Sequence, residues 1–284
     1  MPLNQALIGR QYSAPAFEVS LEATQRYARA CNERNPRYFD PDAHGGIIAP
    51  PMFAVVASWL PTLSAVTAPE LNADLLRLLH RAQEIEFLAP IRPGDTIASS
   101  ATIESIDQTP GGETMSLRIA ASNQRGEPVS RIVFTAFIRG ARDRSANRAE
   151  PAATEKNHGE SIALATETID PDQTFRYADA SGDRNPIHTD DNVARMAGLR
   201  GIVVHGMCTM ALAAKAVADR LCGGDPVRLK RLTATFARPV FPGDSITTRA
   251  WETGERDGRR VFAYETLNPR GVAVIRPGEA EIAT

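Results

Sequence analysis

The chain has 284 residues, 43% of them hydrophobic and 23% charged, with a formal net charge of −2, enough for one large domain or two of ordinary size. That charge gives no general attraction to nucleic acid or to an anionic membrane, and no run approaches the roughly 18 apolar residues that a membrane span needs. Cys31, Cys208 and Cys222 are too few, odd in number and too widely spaced for a disulfide framework or a zinc cluster, and count as small buried hydrophobes.

The opening MPLNQALIGRQYSAP has neither a long apolar core nor a secretory cleavage site, which predicts a cytoplasmic protein. Residues 10–20 read as a strand. Residues 21–33 read as a short helix opened by Ser20, with Glu22 in the first turn where the helix dipole favours negative charge. After Asn35-Pro36 and the pair Gly45-Gly46, residues 51–60 form a second, more apolar helix that Pro61 ends. From Arg81 the period changes to that of strands, at 83–88, 96–106, 114–122 and 129–138, separated by Pro-Gly, Gly-Gly and Arg-Gly turns. Residues 140–160 are polar, carry no apolar period and read as a linker.

The chain beyond the linker repeats the chain before it. YARACNERNP, from Tyr27 to Pro36, matches YADASGDRNP, from Tyr177 to Pro186, at an offset of 150 residues. FLAPIRPGDTI, beginning at Phe87, matches FARPVFPGDSI, beginning at Phe236, at an offset of 149, and Asn123-Gln124-Arg125-Gly126 matches Asn268-Pro269-Arg270-Gly271 at an offset of 145. Three matches in one order at nearly one offset mark a duplication. The chain therefore divides into a first copy at 1–140, a linker at 141–160 and a second copy at 161–284. Each is α+β, a long helix packed on a curved antiparallel sheet.

The two copies differ chemically. In the second, the amphipathic run 174–180 gives way at Gly182 to a loop bent by Asn185-Pro186, since the residue before proline is kept out of the α region. Asp183 and His188 flank that bend and can face one small space. Further on, Gly201-Ile202-Val203-Val204-His205-Gly206 leads into an alanine-rich helix at 207–221, which places Gly206 at its N-terminus, where backbone N–H groups are unpaired and the dipole favours negative charge. The first copy has Glu33 and Tyr38 in place of Asp183 and His188, and Pro50-Pro51 in place of His205-Gly206. Proline has no N–H. The first copy has thus lost the imidazole and a donor, and its expected role is structural, with shaping a pocket for the apolar part of a ligand as a second one.

Tyr177, Ser181-Gly182-Asp183, Asn185-Pro186, His188 and Gly206 together closely resemble the hydratase 2 signature of the MaoC-like (R)-specific enoyl-thioester hydratases and dehydratases. The duplication resembles the family's double-hotdog members, in which a degenerate N-terminal hotdog accompanies a catalytic C-terminal one. The resemblance implies reversible hydration of trans-2-enoyl-CoA, or of an acyl carrier protein thioester, to the (R)-3-hydroxyacyl product. It also implies no metal or redox cofactor, no nucleic-acid or membrane partner, and a homodimer. The catalytic set it indicates is Asp183, His188, Asn185 and Gly206.

The reaction needs such groups. A proton must leave water, one must reach Cα, and the thioester oxygen must carry enolate charge. A carboxylate and an imidazole, with unperturbed pKa values of about 3.9 and 6.5, can manage the protons; which acts on water is open. Asn185 can orient the water or a carboxylate, and the N–H of Gly206 can serve the thioester oxygen.

Simpler readings compete. An isolated Asp183 would be a turn carboxylate, Asn185 persists as Asn35 in the copy lacking the dyad, and His205 reads as a residue that either supports the catalysts or packs, outside the catalytic set. Ser181 lacks the G-x-S-x-G elbow of a nucleophile. Arg228, Lys230 and Arg231 can meet CoA phosphates, although a solvated basic face is the simpler role. The competing functions are a hotdog thioesterase and a noncatalytic acyl-thioester binding protein.

Overall fold

The computed structural model describes residues 2–140 and 160–284. The expected linker at 141–160 falls outside them apart from Glu160. The expected first strand is two short pieces, β1 (Gln11–Ser13) and β2 (Phe17–Glu18), both on the later strand β4 (Thr96–Thr109) and interrupted around Pro15. Helix α1 (Leu21–Ala30) is capped by Ser20, whose Oγ accepts from Ala23 N–H. It stops short of Glu33, with Asn32 at φ 54° turning the chain out of the helical path.

The first copy's second helix departs most from expectation. A 3₁₀ turn at Pro51–Phe53 runs into α2 (Ala54–Ala57), the path breaks at Ser58, and α3 (Trp59–Val66) continues through Pro61. Pro61 therefore does not end a helix. The break puts it in the first turn of α3, where a missing N–H costs nothing. The carbonyl of Ala57, which an N–H at position 61 would have bonded, accepts from the Ser99 hydroxyl instead, at 3.3 Å.

Four long strands complete the first copy: β3 (Leu78–Phe87), β4 (Thr96–Thr109), β5 (Gly112–Ser122) and β6 (Pro128–Arg139). In the second copy come β7 (Ile162–Thr168), α4 (Gln173–Ser181), α5 (Asp191–Met196), α6 (Gly206–Arg220), β8 (Leu229–Phe236), β9 (Ser245–Arg256), β10 (Arg259–Leu267) and β11 (Ala273–Ala283). Among the described residues the strands form one antiparallel 11-stranded sheet, ordered β1-β4-β5-β6-β3-β8-β11-β10-β9-β7 with β2 beside β4. Each half is the helix-on-curved-sheet unit of a hotdog. Helix α6 is almost wholly buried, and its alanines let its backbone lie close to the sheet.

The repeat extends to single hydrogen bonds. Asp95 Oδ2 accepts from Arg92 N–H at 2.8 Å, and Asp244 Oδ2 from Phe241 N–H at 3.0 Å, closing the same Pro-Gly-Asp turn in each copy. The copies join where β3 pairs with β8, Ala82 opposite Thr235 through to Glu86 opposite Arg231. They also join where α1 packs on α4, with the Tyr27 and Tyr177 rings 5.7 Å apart. Beside those rings the buried Gln173 amide donates to the carbonyl of Ala30, and Asn32 Nδ2 donates to Gln173 Oε1 at 3.1 Å. The buried Gln173 amide is thus satisfied at both its nitrogen and its oxygen. No helix among the described residues is long and apolar enough to cross a membrane.

Candidate active site

Helix α4 ends at Gly182, whose φ of 79° is a left-handed cap that suits glycine. The chain then folds on its own side chains. Asp183 N–H donates to Ser181 Oγ at 3.2 Å, Asn185 N–H to Asp183 Oδ1 at 3.2 Å, and Ile187 N–H to Asn185 Oδ1 at 3.3 Å. The last of these opens a 3₁₀ turn at Pro186–His188. Asn35 caps the first copy's turn at Pro36–Tyr38 in the same way, accepting from Arg37 N–H at 3.0 Å. The carbonyl of Asn185 is therefore a turn device in both copies, which leaves its amide NH₂ as the part available for chemistry. Ser181 Oγ likewise closes a turn.

The turn carries His188 inward to 9% exposure. Its Nδ1 lies 2.7 Å from the carbonyl oxygen of Val203. A carbonyl only accepts, so Nδ1 carries the hydrogen, and in the neutral ring Nε2 is a bare lone pair. Burial pushes the pKa of His188 below the usual histidine value, opposed by the charge of Asp183 and by the bond to Val203. Neutral His188 thus keeps Nε2 as a free lone pair, with its ring close to the Asp183 carboxylate.

The second approach comes from residues 202–206. Val203 N–H donates to Ile187 O at 3.3 Å, and Val204 N–H to Val240 O at 2.8 Å, tying this segment to the histidine turn and to the loop after β8. His205 is the N-cap of α6 and Gly206 its first residue, so the Gly206 N–H is one of the four that a helix start leaves without an intrahelical acceptor. A Cβ on Gly206 would lie 3.3 Å from the Phe236 ring; glycine here also permits the helix to meet β8 closely. The His80 ring of β3 packs on the other side of the seam, 4.9 Å from Phe236.

One buried residue at the site was not in the expected catalytic set. His205, 1% exposed, stacks on His188 with ring centroids 3.7 Å apart and planes at 24°. Its signal in the sequence was the one that singled out His188, an imidazole absent from the first copy, where Pro50 stands. Phe236 carried no such signal, because Phe87 repeats it. Donor atoms of Asp183, His188 and His205 lie within 4.8 Å of one another, which invites a metal. The residues do not suit one. Stacked imidazoles hold their lone pairs side by side instead of converging, and both nitrogens of His205 face protein partners, Thr174 Oγ1 and the carbonyl of Asp183. Of the basic run, Arg231 is held by Glu84 and Glu279, and Arg228 by the carbonyls of Cys222 and Ala283.

The equivalent place in the first copy has a different chemistry. Glu33 sits beside a small cavity with Tyr38, Pro51 and Lys215. Burial, the charge of Asp219 and that of Glu167 push its pKa up to about 8, with Lys215 opposing. A carboxyl whose folded pKa is raised contributes its stability below the unfolded value, about 4.3, and loses it as pH climbs through 8. Glu33→Gln is therefore expected to leave the melting temperature unchanged near pH 4. Near pH 9 it is expected to stabilise the fold, by up to about 5 kcal/mol. Thermal melts of both proteins at the two pH values measure this.

Residues 153–272 match the family described as MaoC like domain, and residues 6–132 match the FAS1-like dehydratase domain region. The chain thus carries a FAS1-like dehydratase region followed by a MaoC-like dehydratase domain. It is 28% identical over 247 residues to the probable enoyl-CoA hydratase 2 of Dictyostelium discoideum, covering 78% of this chain and 81% of that protein. It is 29% identical over 224 residues to 3-hydroxyacyl-thioester dehydratase Y of Mycobacterium tuberculosis, covering 75% and 76%. The MaoC-like dehydratase structure from Phytophthora capsici superposes with a TM-score of 0.81 at 22% identity, over 100% of this chain and 98% of that one. At that identity the likeness concerns the fold, and it is the double hotdog of this family's two-copy members.

Proposed function

We propose that the protein is a hydro-lyase that reversibly adds water to a trans-2-enoyl thioester, giving the (R)-3-hydroxyacyl thioester. The observation that carries the reading is the bare Nε2 of His188, held by the Val203 carbonyl in the tautomer of a base beside the Asp183 carboxylate. The relatives named as enoyl-CoA hydratase 2 and 3-hydroxyacyl-thioester dehydratase support the same reaction, run in its two directions.

With His188 neutral and Asp183 a carboxylate, neither group starts with a proton to give. The proton that reaches Cα is then the one that leaves water. His188 Nε2 takes it as the water oxygen bonds to Cβ, the Cα–Cβ π electrons move into the enolate, and the imidazolium returns the proton to Cα. Asp183 holds the water and offsets the imidazolium charge. The N–H of Gly206 donates to the thioester oxygen while it carries the enolate charge, and the Asn185 amide steadies the water. CoA and acyl carrier protein thioesters both present the reacting atoms.

Incubation with trans-2-enoyl-CoA tests the reading. Loss of enone absorbance with no free thiol, and an (R) product on chiral analysis, is the expected result; thiol release would make the protein a thioesterase, and saturable binding without turnover a carrier. The pH profile is a separate check. Because the pKa of His188 is lowered, its base form persists into more acid solution. The acid limb of kcat/KM should therefore lie below about 6.5, the ordinary histidine value. A limb at or above that value would remove His188 as the base.

A further inference from the structure

His205 touches each of the three segments that supply a group to the proposed chemistry. Its Nε2 lies 3.0 Å from the main-chain oxygen of Asp183. That oxygen can only accept, so Nε2 carries the hydrogen and Nδ1 is the acceptor in the neutral ring. Nδ1 faces the Thr174 hydroxyl at 3.2 Å, inside α4, and the Tyr177 ring of the same helix lies 4.9 Å from the imidazole. One face of the ring stacks on His188. The His205 carbonyl accepts from Thr209 N–H at 3.1 Å and so starts α6, with Gly206 as the next residue.

We infer that His205 is a positioning residue, a neutral strut that holds the Asp183 main chain, the His188 ring and the start of α6 in one arrangement. The inference rests on the hydration reading above. Two requirements of that chemistry explain why an imidazole stands here. Asp183 comes after a left-handed glycine, and its own turn bonds, to Ser181 and Asn185, reach only two residues along the chain, so its carboxylate is placed no better than its main chain is, and the Nε2 donor anchors that main chain from outside the turn. His188 must rotate neither away from Val203 nor out of plane when it takes a proton, and a flat ring 3.7 Å away restricts both. Rings this close do not both carry charge. Burial and the neighbouring His188 push the pKa of His205 down to about 3, which leaves the proton change to His188. Where Pro50 replaces His205 in the first copy, the strut and the dyad are absent together.

The test separates donor from ring. His205→Gln can place an amide N–H near the Nε2 position, His205→Asn cannot reach it, and His205→Phe keeps a flat ring with no donor. With enoyl-CoA as substrate and melting curves as the folding control, kcat of H205N and H205F should fall about 10- to 100-fold with KM within about threefold, the size of effect expected for misplaced groups. H205Q should recover a good part of that loss. Equal losses in H205Q and H205N, or kcat within twofold of wild type in H205N, would overturn the inference. Should H205F fail to fold, the Gln and Asn pair still decides. If wild type hydrates no enoyl thioester, the hydration reading falls, and imidazole ¹⁵N spectra of His188 judge the strut independently. A single Nδ1–H tautomer in wild type that becomes mixed in H205N upholds it, and an unchanged spectrum overturns it.

Discussion

Asp183→Asn and His188→Gln are each expected to lose most turnover, by about 10²–10⁴-fold, the range that a positioned acid or base supplies. Both changes are conservative in shape. Asparagine at 183 keeps an oxygen for the Asn185 N–H, so the turn survives while the charge goes. The scaffold accepts another side chain at 188, since the first copy holds Tyr38 in the matching 3₁₀ turn. Two groups that serve one proton act as a unit, so the double variant should lose little more than the worse single one. Steady-state rates with an enoyl-CoA, beside thermal melts, decide the matter; near-normal rates in either folded variant would take that residue out of the mechanism.

Gly206→Pro should cost about 10²–10³-fold in kcat, the loss seen when one oxyanion donor is removed, whereas Gly206→Ala should cost far less. The pair isolates the N–H. Both variants add a Cβ 3.3 Å from Phe236 and so share the same crowding, but only proline removes the donor. Proline is tolerated at the first position of a helix, and the preceding His205, at φ −55° and ψ 133°, already has the extended backbone that a proline after it requires. The first copy is the natural precedent, with Pro51 opening its helix after Pro50 at φ −53° and ψ 144°. Equal rates for the two variants would show that Gly206 serves only the close packing against Phe236.

Much of this molecule was legible in the order of its residues, because the signals involved are local. Ser20 as a cap, Gly182 as a helix stop and Asn185-Pro186 as a turn each act within a few residues, and the four first-copy strands came from their alternating period. The internal repeat did more. Comparing one copy with the other separated Asn185, which the turn needs in both, from Asp183 and His188, which only the second has.

Other features depended on distances that no local pattern encodes. Pro61 looked like a helix end because the break at Ser58, and the Ser99 hydroxyl that takes up the Ala57 carbonyl, belong to packing between a helix and a strand some forty residues apart. Which nitrogen of His188 carries the hydrogen could not be told until the Val203 carbonyl fixed its tautomer. The sequence left His205 as either a supporting or a packing residue, and only the fold put its ring against His188 and its Nε2 against the Asp183 carbonyl. The sequence by itself determined which groups only the second copy possesses, since a duplication carries its own control. Only the tertiary structure decided how those groups are oriented and which nitrogen of each imidazole carries the hydrogen, since both depend on carbonyls and rings that approach through space from distant parts of the chain.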